Sequence, residues 1–349
     1  MQNCKPLQGD AGLSENFDMA RVRMARLDDI DALFALAVAG GSGLTNLPPE
    51  RDVLAAKLAA SERAVGADPS EVDGAAIMLM VEDGQGQVAG TSCIFPRVGA
   101  DWPFYSYRLT RQANRSLAVG RLKSQTLLNL ANDFEGETEV GGLFIDPARR
   151  GAAFGALAAR ARYLFIAAHR ARFGRRVMAE LRGWQDASGK SPVWEAIGRH
   201  FYDMDFHDAD RTGAVGGNQF IADLGPRYPI YVSLLPPEAQ AALGRPHDDG
   251  RPAFEMLLAE GFAAGDYVDI FDGGPTVVAD IDAVKTVREA RHIEITAIGE
   301  GGSPALTAAG SCETFRVGRG YVTADGIVAP ALAAALGVGP GDTVLSVAV

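Results

Sequence analysis

The stretch "LFIDPARRGAAFGALAARARYLFIAA", residues 143–168, decides the fold. Its first residues are apolar, as in a buried strand, then come two arginines and two spaced glycines, and a helix is expected to begin near Phe154. The first N–H groups of a helix lack partners within it and create a site that attracts anions. The stretch by itself leaves two interpretations open, a phosphate-binding junction and an ordinary tight turn.

The composition is that of a globular chain with a sizeable core, because 47% of its 349 residues are hydrophobic. The net charge of −11 argues against nucleic acid as the main partner, since phosphate contacts need a surplus of Lys and Arg. No run approaches the roughly 20 apolar residues of a membrane helix, so no membrane partner is expected. Local basic patches for one small anion remain compatible with this charge.

The three cysteines lie far apart, and no C-x-x-C pair occurs. This spacing argues against a disulfide framework and against a zinc site, and it suits a reducing cytoplasm. We therefore expect a cytoplasmic protein without a metal site. Residues 1–20 carry acids and no apolar core, so they are expected to form a disordered tail and neither a signal peptide nor a membrane anchor.

The first part of the chain predicts alternating strands and helices. A strand at "RVRMARL" precedes a helix in "DDIDALFALAVAGG", a Gly- and Pro-rich loop and a second helix from about Arg51 to Val65. The segment "AAIMLMVEDGQGQVAGTSCIF" predicts a hairpin with its turn at Asp83 to Gly86. The strand "EVGGLFID", the helix that continues to about Arg172, the strand "RRVMAELRG" and a helix around "PVWEAIGRHF" follow. This order predicts an α/β (α+β) fold with a mixed sheet.

The later part of the chain has a different pattern of predicted secondary structure. The segments "VWEAIGRHFYDMDF" and "FEMLLAEGFAAGDYVDIF" each predict a helix that passes into an aromatic strand. After about residue 285, short β-prone pieces lie between glycines around one Ala-rich helix, "PALAAALG", which predicts a small β-barrel. We therefore divide the chain into the tail, a mixed domain over 21–285 and a small β-rich C-terminal domain over 286–349.

The order strand, two helices, hairpin, long strand and anion-binding helix resembles the GNAT acyl-CoA transferases. The motifs "GGSGLTNLP", "LFIDPARR", "AELRG", "SPVWEAIGRHF", "RYPIY", "GFAAGDYVDIFDGGPT" and "DIDAV" further resemble the arginine N-succinyltransferase family over about residues 21–290. The resemblance implies a GNAT-type mixed central sheet flanked by helices. It also implies transfer of a succinyl group from succinyl-CoA to the α-amino group of L-arginine, or of ornithine, in arginine catabolism by succinylation.

The resemblance gives the junction after "LFID" a chemical role. In a GNAT fold this junction holds the pyrophosphate of coenzyme A, so succinyl-CoA is a co-substrate and no permanently bound cofactor is expected. Ala153 stands where the family usually has a glycine. The strand backbone is expected to accompany the pantetheine arm and to polarise the thioester carbonyl. The implied donor-binding residues are Leu143, Phe144 and Ile145 along the pantetheine, and Arg149, Arg150, Gly151 and Gly155 at the phosphates.

Transfer of an acyl group from a thioester to an amine requires a neutral amine, a polarised carbonyl and a proton for the departing thiolate. An α-amino group with a pKa of about 8 is partly neutral at pH 7, so little general-base catalysis is needed to deprotonate the acceptor. His247 lies in the polar loop "ALGRPHDDGRPA", and a histidine in such a loop is more often a solvated surface residue. The resemblance places the proton-donating histidine of the family at this position.

Recognition of the two substrates requires carboxylates for a guanidinium and an arginine for the distal carboxylate of the succinyl group. Glu180 and Arg182 follow a central strand, at the sheet edge where ligand groups usually lie. Asp272 is a second candidate for the guanidinium, and Ser42 and Thr45 are candidates for the amino acid carboxylate. Local roles remain open for each, such as a turn capped by Asp272 or a loop closed by Thr45.

Two further hypotheses remain open at this point. One is a GNAT N-acyltransferase with a different short acyl donor or amine, and the other is a non-catalytic subunit paired with an active paralogue. We expect a homo-oligomer or a hetero-oligomer with a related chain. Cys93 in "GTSCIF" has no adjacent histidine in sequence, so direct transfer is favoured over an acyl-cysteine intermediate.

Overall fold

The computed structural model describes residues 20–41, 47–71, 73–100, 102–150, 154–206, 208–209, 212 and 219–349. Residues 1–19, for which a disordered tail is predicted, lie outside this range. So do four residues discussed above, namely Ser42, Thr45, Gly151 and Ala153. Within these ranges, no helix has the length and apolar character that a membrane crossing demands.

In the described residues, sixteen strands form one mixed sheet. In chain order the strands are β1 (Arg21–Met24), β2 (Ile77–Glu82), β3 (Val88–Phe95), β4 (Ser106–Ser116), β5 (Arg121–Ala131), β6 (Thr138–Ile145), β7 (Arg176–Glu180), β8 (Ile230–Tyr231), β9 (Ala263–Val268), β10 (Pro275–Asp280), β11 (Arg291–Glu294), β12 (Ala297–Ile298), β13 (Ser303–Ala309), β14 (Arg316–Val322), β15 (Ile327–Val328) and β16 (Thr343–Ala348). Their spatial order is β11-β16-β13-β14-β1-β2-β3-β6-β7-β10-β9-β4-β5-β8, with β15 beside β14 and β12 beside β15.

The helices pack on both faces of this sheet. Those that lie in the described ranges are α1 (Ile30–Gly40), α2 (Arg51–Gly66), α3 (Phe154–Ala168), α4 (Arg199–Tyr202), α5 (Gln219–Leu224), α6 (Pro237–Ala242), α7 (Arg251–Ala259), α8 (Lys285–Glu289) and α9 (Pro330–Leu336), and a π-helical turn at Trp194–Gly198 leads directly into α4. The main core lies between α3 and the sheet, where Leu157, Leu164 and Phe165 share one buried cluster with Val177 and Val277. These five side chains are at most 2% exposed, and α3 packs chiefly against β3 and β6.

Several predicted elements lie where the sequence placed them. The hairpin turns at Asp83 to Gly86, where Gly86 has a φ of +76° and its N–H donates to the Asp83 carbonyl at 3.0 Å. A positive φ is a conformation that glycine adopts readily, so the turn chemistry explains the hairpin. In the described residues the opening helix covers Phe154–Ala168, so it ends before the predicted Arg172, and a 3-10 turn occupies 170–172.

The prediction of an aromatic strand at "YDMDF" is wrong. Asp203 ends α4 in the left-handed conformation, with a φ of 51°, so the chain turns and does not extend. The aromatic residues instead surround Trp194, whose ring stacks on Tyr202 with centroids 5.5 Å apart and meets Phe206 edge-on at 6.2 Å. The Trp194 indole N–H donates to the Met204 carbonyl at 3.1 Å, which fixes this turn against the core.

The C-terminal strands continue the central sheet. β14 pairs antiparallel with β1, with Val317 opposite Val22, and Val317 joins the core beneath α3. Phe315 packs edge-on against Phe165 at 4.9 Å. The closed barrel predicted for this region is not confirmed, and the division of the chain near residue 285 stays a prediction. The mixed α/β fold itself is as predicted, because helices flank one mixed sheet.

Candidate active site

The central feature of the site is a gap between two parallel strands. β6 and β7 share ladder pairs at Thr138 with Val177 and at Glu139 with Met178. β6 then continues to Ile145 and β7 to Glu180, and within the described chain no further ladder pair joins them. The two strands therefore separate toward their carboxyl ends, which is the edge of a parallel sheet where ligands usually bind.

A bulge shapes the β6 side of this gap. The β3–β6 register shifts between Thr91 and Cys93, and Gly142 at the bulge has a φ of +55°. A Cβ atom at Gly142 would lie 2.8 Å from the Cys93 sulfur, so the bulge requires glycine. Leu143 and Phe144 follow the bulge and are partly exposed, whereas Ile145 is buried. The structure thus brings the predicted pantetheine-binding stretch to the edge of the gap.

The predicted phosphate-binding residues follow β6 but differ in their contacts. Arg149 forms an ion pair with Asp83 at the β2–β3 turn, so its charge is already partnered. Arg150 is exposed, and its guanidinium lies 5.9 Å from the centre of the Phe144 ring. Gly155 lies in the first turn of α3, and a Cβ atom there would meet nothing within 4 Å. Among the described residues, therefore, nothing lies close to Gly155, and Arg150 is an exposed cation four residues before the described start of α3.

His247 lies beside the end of β7. Its backbone N–H donates to the Arg182 carbonyl at 2.8 Å, and the preceding Pro246 forms a bridge with Gly183. The His247 Nδ1 atom accepts a hydrogen bond from the Asp249 N–H at 3.2 Å. An accepting Nδ1 assigns the proton of the neutral ring to Nε2, so Nε2 is the atom that can donate it. The side chain is 23% exposed, so this proton is accessible to a ligand.

Asp272 stabilises the turn that follows β7 by accepting hydrogen bonds from backbone N–H groups. Its carboxylate accepts hydrogen bonds from the Gly183 N–H at 2.7 Å and from the Gly274 N–H at 2.9 Å, and the residue is 5% exposed. Burial raises the pKa of Asp272, although the two backbone N–H groups act in the opposite direction. Both oxygens are thus bonded to backbone, which favours the turn-capping role over contact with a guanidinium.

Glu180 lies at the end of β7, on the face that the ladder shares with Thr276 of β10. The hydroxyls of Thr276 and Ser106 donate to the same Glu180 oxygen at 3.2 and 3.4 Å, and both residues are 1% exposed. Burial, followed by the nearby Asp269 and Glu139 carboxylates, raises the pKa of Glu180 well above its ordinary value. The Glu180 carboxyl is therefore held by two buried hydroxyl groups.

Two further carboxylates contribute to this site, and sequence reasoning missed both. Glu139 pairs with Met178, two residues before Glu180 on the same face, and burial raises the pKa of Glu139 to about 7. Asp269 directly follows β9, and its Oδ1 atom accepts the N–H groups of Phe271 and Asp272 at 2.7 and 2.8 Å, so one of its oxygens caps the turn. Burial and Asp272 nevertheless raise its pKa well above the ordinary value. In the described part of the chain, neither these two nor Glu180 forms an ion pair. We call Glu139, Glu180 and Asp269 the carboxylate recess.

The signal for Glu139 was visible as an acid within the apolar strand "EVGGLFID", but its nearness to Glu180 depends on strand register. Arg182, the other predicted residue after β7, is partly exposed and donates to the Gln185 side-chain oxygen at 2.5 Å. Cys93 is 3% exposed, and burial raises the pKa of its thiol to about 12. Such a thiol is a poor nucleophile, in agreement with direct transfer.

A family model described as "Arginine N-succinyltransferase beta subunit" matches residues 20–286. The arginine N-succinyltransferase subunit beta of Pseudomonas aeruginosa is 40% identical over 286 residues, which cover 81% of this chain and 83% of that protein. The chain belongs to the arginine N-succinyltransferase family. The arginine N-succinyltransferase of Yersinia pestis is also 40% identical, over 277 residues that cover 78% of this chain and 77% of that protein.

The structure of arginine/ornithine succinyltransferase subunit AI from Pseudomonas aeruginosa agrees with a TM-score of 0.84 and 32% sequence identity. The match covers 95% of this chain and 99% of that chain. The family, the fold class and the acyltransferase activity predicted from the sequence are thereby confirmed. The roles of individual site residues stay predictions.

Proposed function

We propose that this acyltransferase moves the succinyl group of succinyl-CoA to the α-amino group of L-arginine, or of ornithine, in the cytoplasm. The products are N2-succinylarginine and coenzyme A. The observation that carries the proposal is the gap between β6 and β7, with His247 beside one strand end and the carboxylate recess on one face. A thioester and a cationic amine acceptor can meet there.

The donor is proposed to lie along β6. Its pantetheine amides pair with the backbone of Leu143, Phe144 and Ile145, because β7 leaves this edge free of ladder pairs in the described chain. Its phosphates lie at the α3 N-terminus, where the helix dipole and Arg150 stabilise negative charge. Gly155 permits close approach because it has no side chain.

The chemistry is proposed to proceed by direct attack. The neutral α-amino nitrogen forms a bond with the thioester carbonyl carbon, and the carbonyl electrons move to oxygen, where a β6 backbone N–H stabilises the charge. The intermediate then collapses and the carbon–sulfur bond breaks. The leaving thiolate takes the Nε2 proton of His247 in the same step in which the ring receives the proton released by the amine, so the ring is neutral before and after the transfer. The products are an amide and a neutral thiol.

The carboxylate recess is proposed to bind the cationic side chain of the acceptor. Glu180 is oriented by the Ser106 and Thr276 hydroxyls, and Glu139 and Asp269 add charge nearby. Three carboxylates without cationic partners among the described residues repel one another, and a guanidinium or ammonium relieves that repulsion. This favours dibasic amino acids over neutral ones as acceptors.

The test is thiol release by the purified chain from succinyl-CoA and acetyl-CoA, each with arginine, ornithine, lysine or no acceptor. We expect rapid release that requires succinyl-CoA together with arginine or ornithine, and a product whose mass shows one added succinyl group. Release with acetyl-CoA alone, or with another amine alone, would instead support a different donor or acceptor. No release with any pair would support the non-catalytic subunit hypothesis.

We also propose that the chain works as an oligomer, with a second copy or a related chain. Support comes from the word "subunit" in the names of two similar proteins and from the β4–β5 hairpin. This hairpin pairs with β9 and β8 near its base, and its outer half carries the exposed apolar residues Leu117, Val119 and Leu122. Replacement of these three by serine should lower the mass measured by light scattering, and an unchanged mass would count against this contact.

A further inference from the structure

One buried arginine is not explained by the fold. Arg162 lies on α3 and is 4% exposed. Its guanidinium donates to the Ala159 carbonyl at 3.3 Å and to the Gly141 carbonyl of β6 at 3.4 Å. No carboxylate of the described residues lies within ion-pair distance of it, and burial lowers its pKa below the ordinary value. The guanidinium nevertheless stays charged at neutral pH.

The other buried arginines show how this chain neutralises or bonds such a group. Arg23 is 8% exposed and forms ion pairs with both Asp29 and Glu82 at 2.6–2.7 Å. Arg172 is 6% exposed and donates to two carbonyls at 3.0 and 2.6 Å. Arg162 has two long bonds to neutral carbonyls and a contact with the Tyr163 ring, whose centroid lies 5.8 Å from the guanidinium carbon, and none of these supplies a negative charge. Its counter-charge is therefore not among the described residues, and an anionic ligand would supply it.

The position of Arg162 narrows the choice of anion. It lies eight residues after Phe154, which places it about 12 Å along α3 from the N-terminus where phosphates bind. It reaches Gly141, which precedes the Gly142 bulge, whereas Leu143 follows the bulge. Because a strand advances about 3.3 Å per residue, Gly141 lies roughly 7 Å from Leu143. That span is comparable with a four-carbon dicarboxylate chain attached at the thioester.

We propose that Arg162 binds the distal carboxylate of the acyl group and thereby selects dicarboxylic acyl donors over uncharged ones. This inference rests on the proposed function, since it places the thioester carbonyl beside Leu143. The planar guanidinium can bind a carboxylate through two parallel hydrogen bonds, which a lysine cannot reproduce. Arg182, predicted for this role from the sequence, follows β7, where its guanidinium donates to Gln185.

The experiment compares succinyl-CoA with butyryl-CoA, which has a methyl group in place of the carboxylate. Both donors are assayed with arginine, using the wild-type chain and the variants Arg162→Met, Arg162→Lys and Arg172→Met. The last is the matched control, because it removes a buried guanidinium that donates to carbonyls of Ala64 and Ala67. We expect the wild-type chain to prefer succinyl-CoA strongly.

Arg162→Met should lower kcat/KM for succinyl-CoA by at least about 30-fold and leave that for butyryl-CoA within a few fold. Arg172→Met should leave the ratio of the two donors unchanged. Equal losses for both donors in Arg162→Met, or no loss, would overturn the inference and assign a structural role. If that variant does not fold, Arg162→Lys decides, since it keeps the charge but should still lower the donor ratio.

The two proposals fail in different ways. A wild-type chain that prefers butyryl-CoA to succinyl-CoA would refute the proposed donor, and this inference with it. A wild-type chain that prefers succinyl-CoA, with the same preference in both Arg162 variants, would refute the role of Arg162 and leave the proposed function intact.

Discussion

Replacement of Asp272 by asparagine separates a structural role from substrate binding. The carboxylate accepts the N–H groups of Gly183 and Gly274, and an amide has one oxygen with which to accept them. One buried N–H therefore loses its partner, at a cost of about 1–3 kcal/mol in the free energy of unfolding. Because Gly183 bridges to Pro246, the loop that carries His247 should also become less well ordered.

The assay measures urea unfolding and the KM for arginine on the same preparations. We expect a lower unfolding midpoint for Asp272→Asn, a reduced kcat and a KM for arginine within about twofold of the wild type. The matched control is Asp266→Asn, which changes an exposed carboxylate on β9 and should alter neither quantity. A tenfold rise in the KM for arginine with unchanged stability would refute this reasoning and make Asp272 a ligand of the guanidinium.

Four other predictions concern the proposed chemistry and the carboxylate recess. His247→Ala should lower kcat by about 100-fold or more with little change in the KM for succinyl-CoA. Arg150→Ala should chiefly raise the KM for succinyl-CoA. In either variant, an equally large effect on kcat and on the KM for succinyl-CoA would contradict these roles. The KM for arginine should rise as the pH falls through about 7, because burial raises the pKa of Glu139 to about 7 and its protonation removes part of the recess's attraction for a cation. The pKa of Glu180 is raised as well, so Glu180→Gln should raise this KM and flatten its pH profile, and an unchanged profile would contradict the recess. A carboxyl whose pKa is raised in the folded state makes the free energy of unfolding fall as the pH rises toward that pKa. Glu180→Gln should therefore raise the urea midpoint more at pH 8 than at pH 5. An equal rise at both pH values would count against the raised pKa of Glu180.

The sequence predicted the features that depend on neighbouring residues. The hairpin turn at Asp83 to Gly86 and the helix that follows the arginines, α3, depend on local turn and helix chemistry, and both are present. The strand predicted at "YDMDF" is absent, because its aromatic residues pack around Trp194, and local sequence does not predict this tertiary contact. The long β4–β5 hairpin carries many polar, exposed residues and so lacks the alternation by which strands are recognised.

The site was predictable where one motif carries it and unpredictable where distant segments meet. The run Leu143 to Ile145 lies at the edge of the gap because it directly precedes the α3 junction. Glu139 and Asp269 become neighbours of Glu180 only through the register of β6, β7, β10 and β9, which no single segment encodes. In the sequence, Arg162 is one polar residue of a predicted helix. Only the packing of this helix against β6 shows that its guanidinium is buried without an ion-pair partner among the described residues.

The most direct test of the central claim is a crystal structure of the protein with bound coenzyme A. The account predicts that the pantetheine lies between β6 and β7, with its amides on the backbone of Leu143 to Ile145 and its thiol toward His247. The pyrophosphate should lie at the N-terminus of α3. Coenzyme A bound elsewhere, with the gap between β6 and β7 empty, would contradict the account.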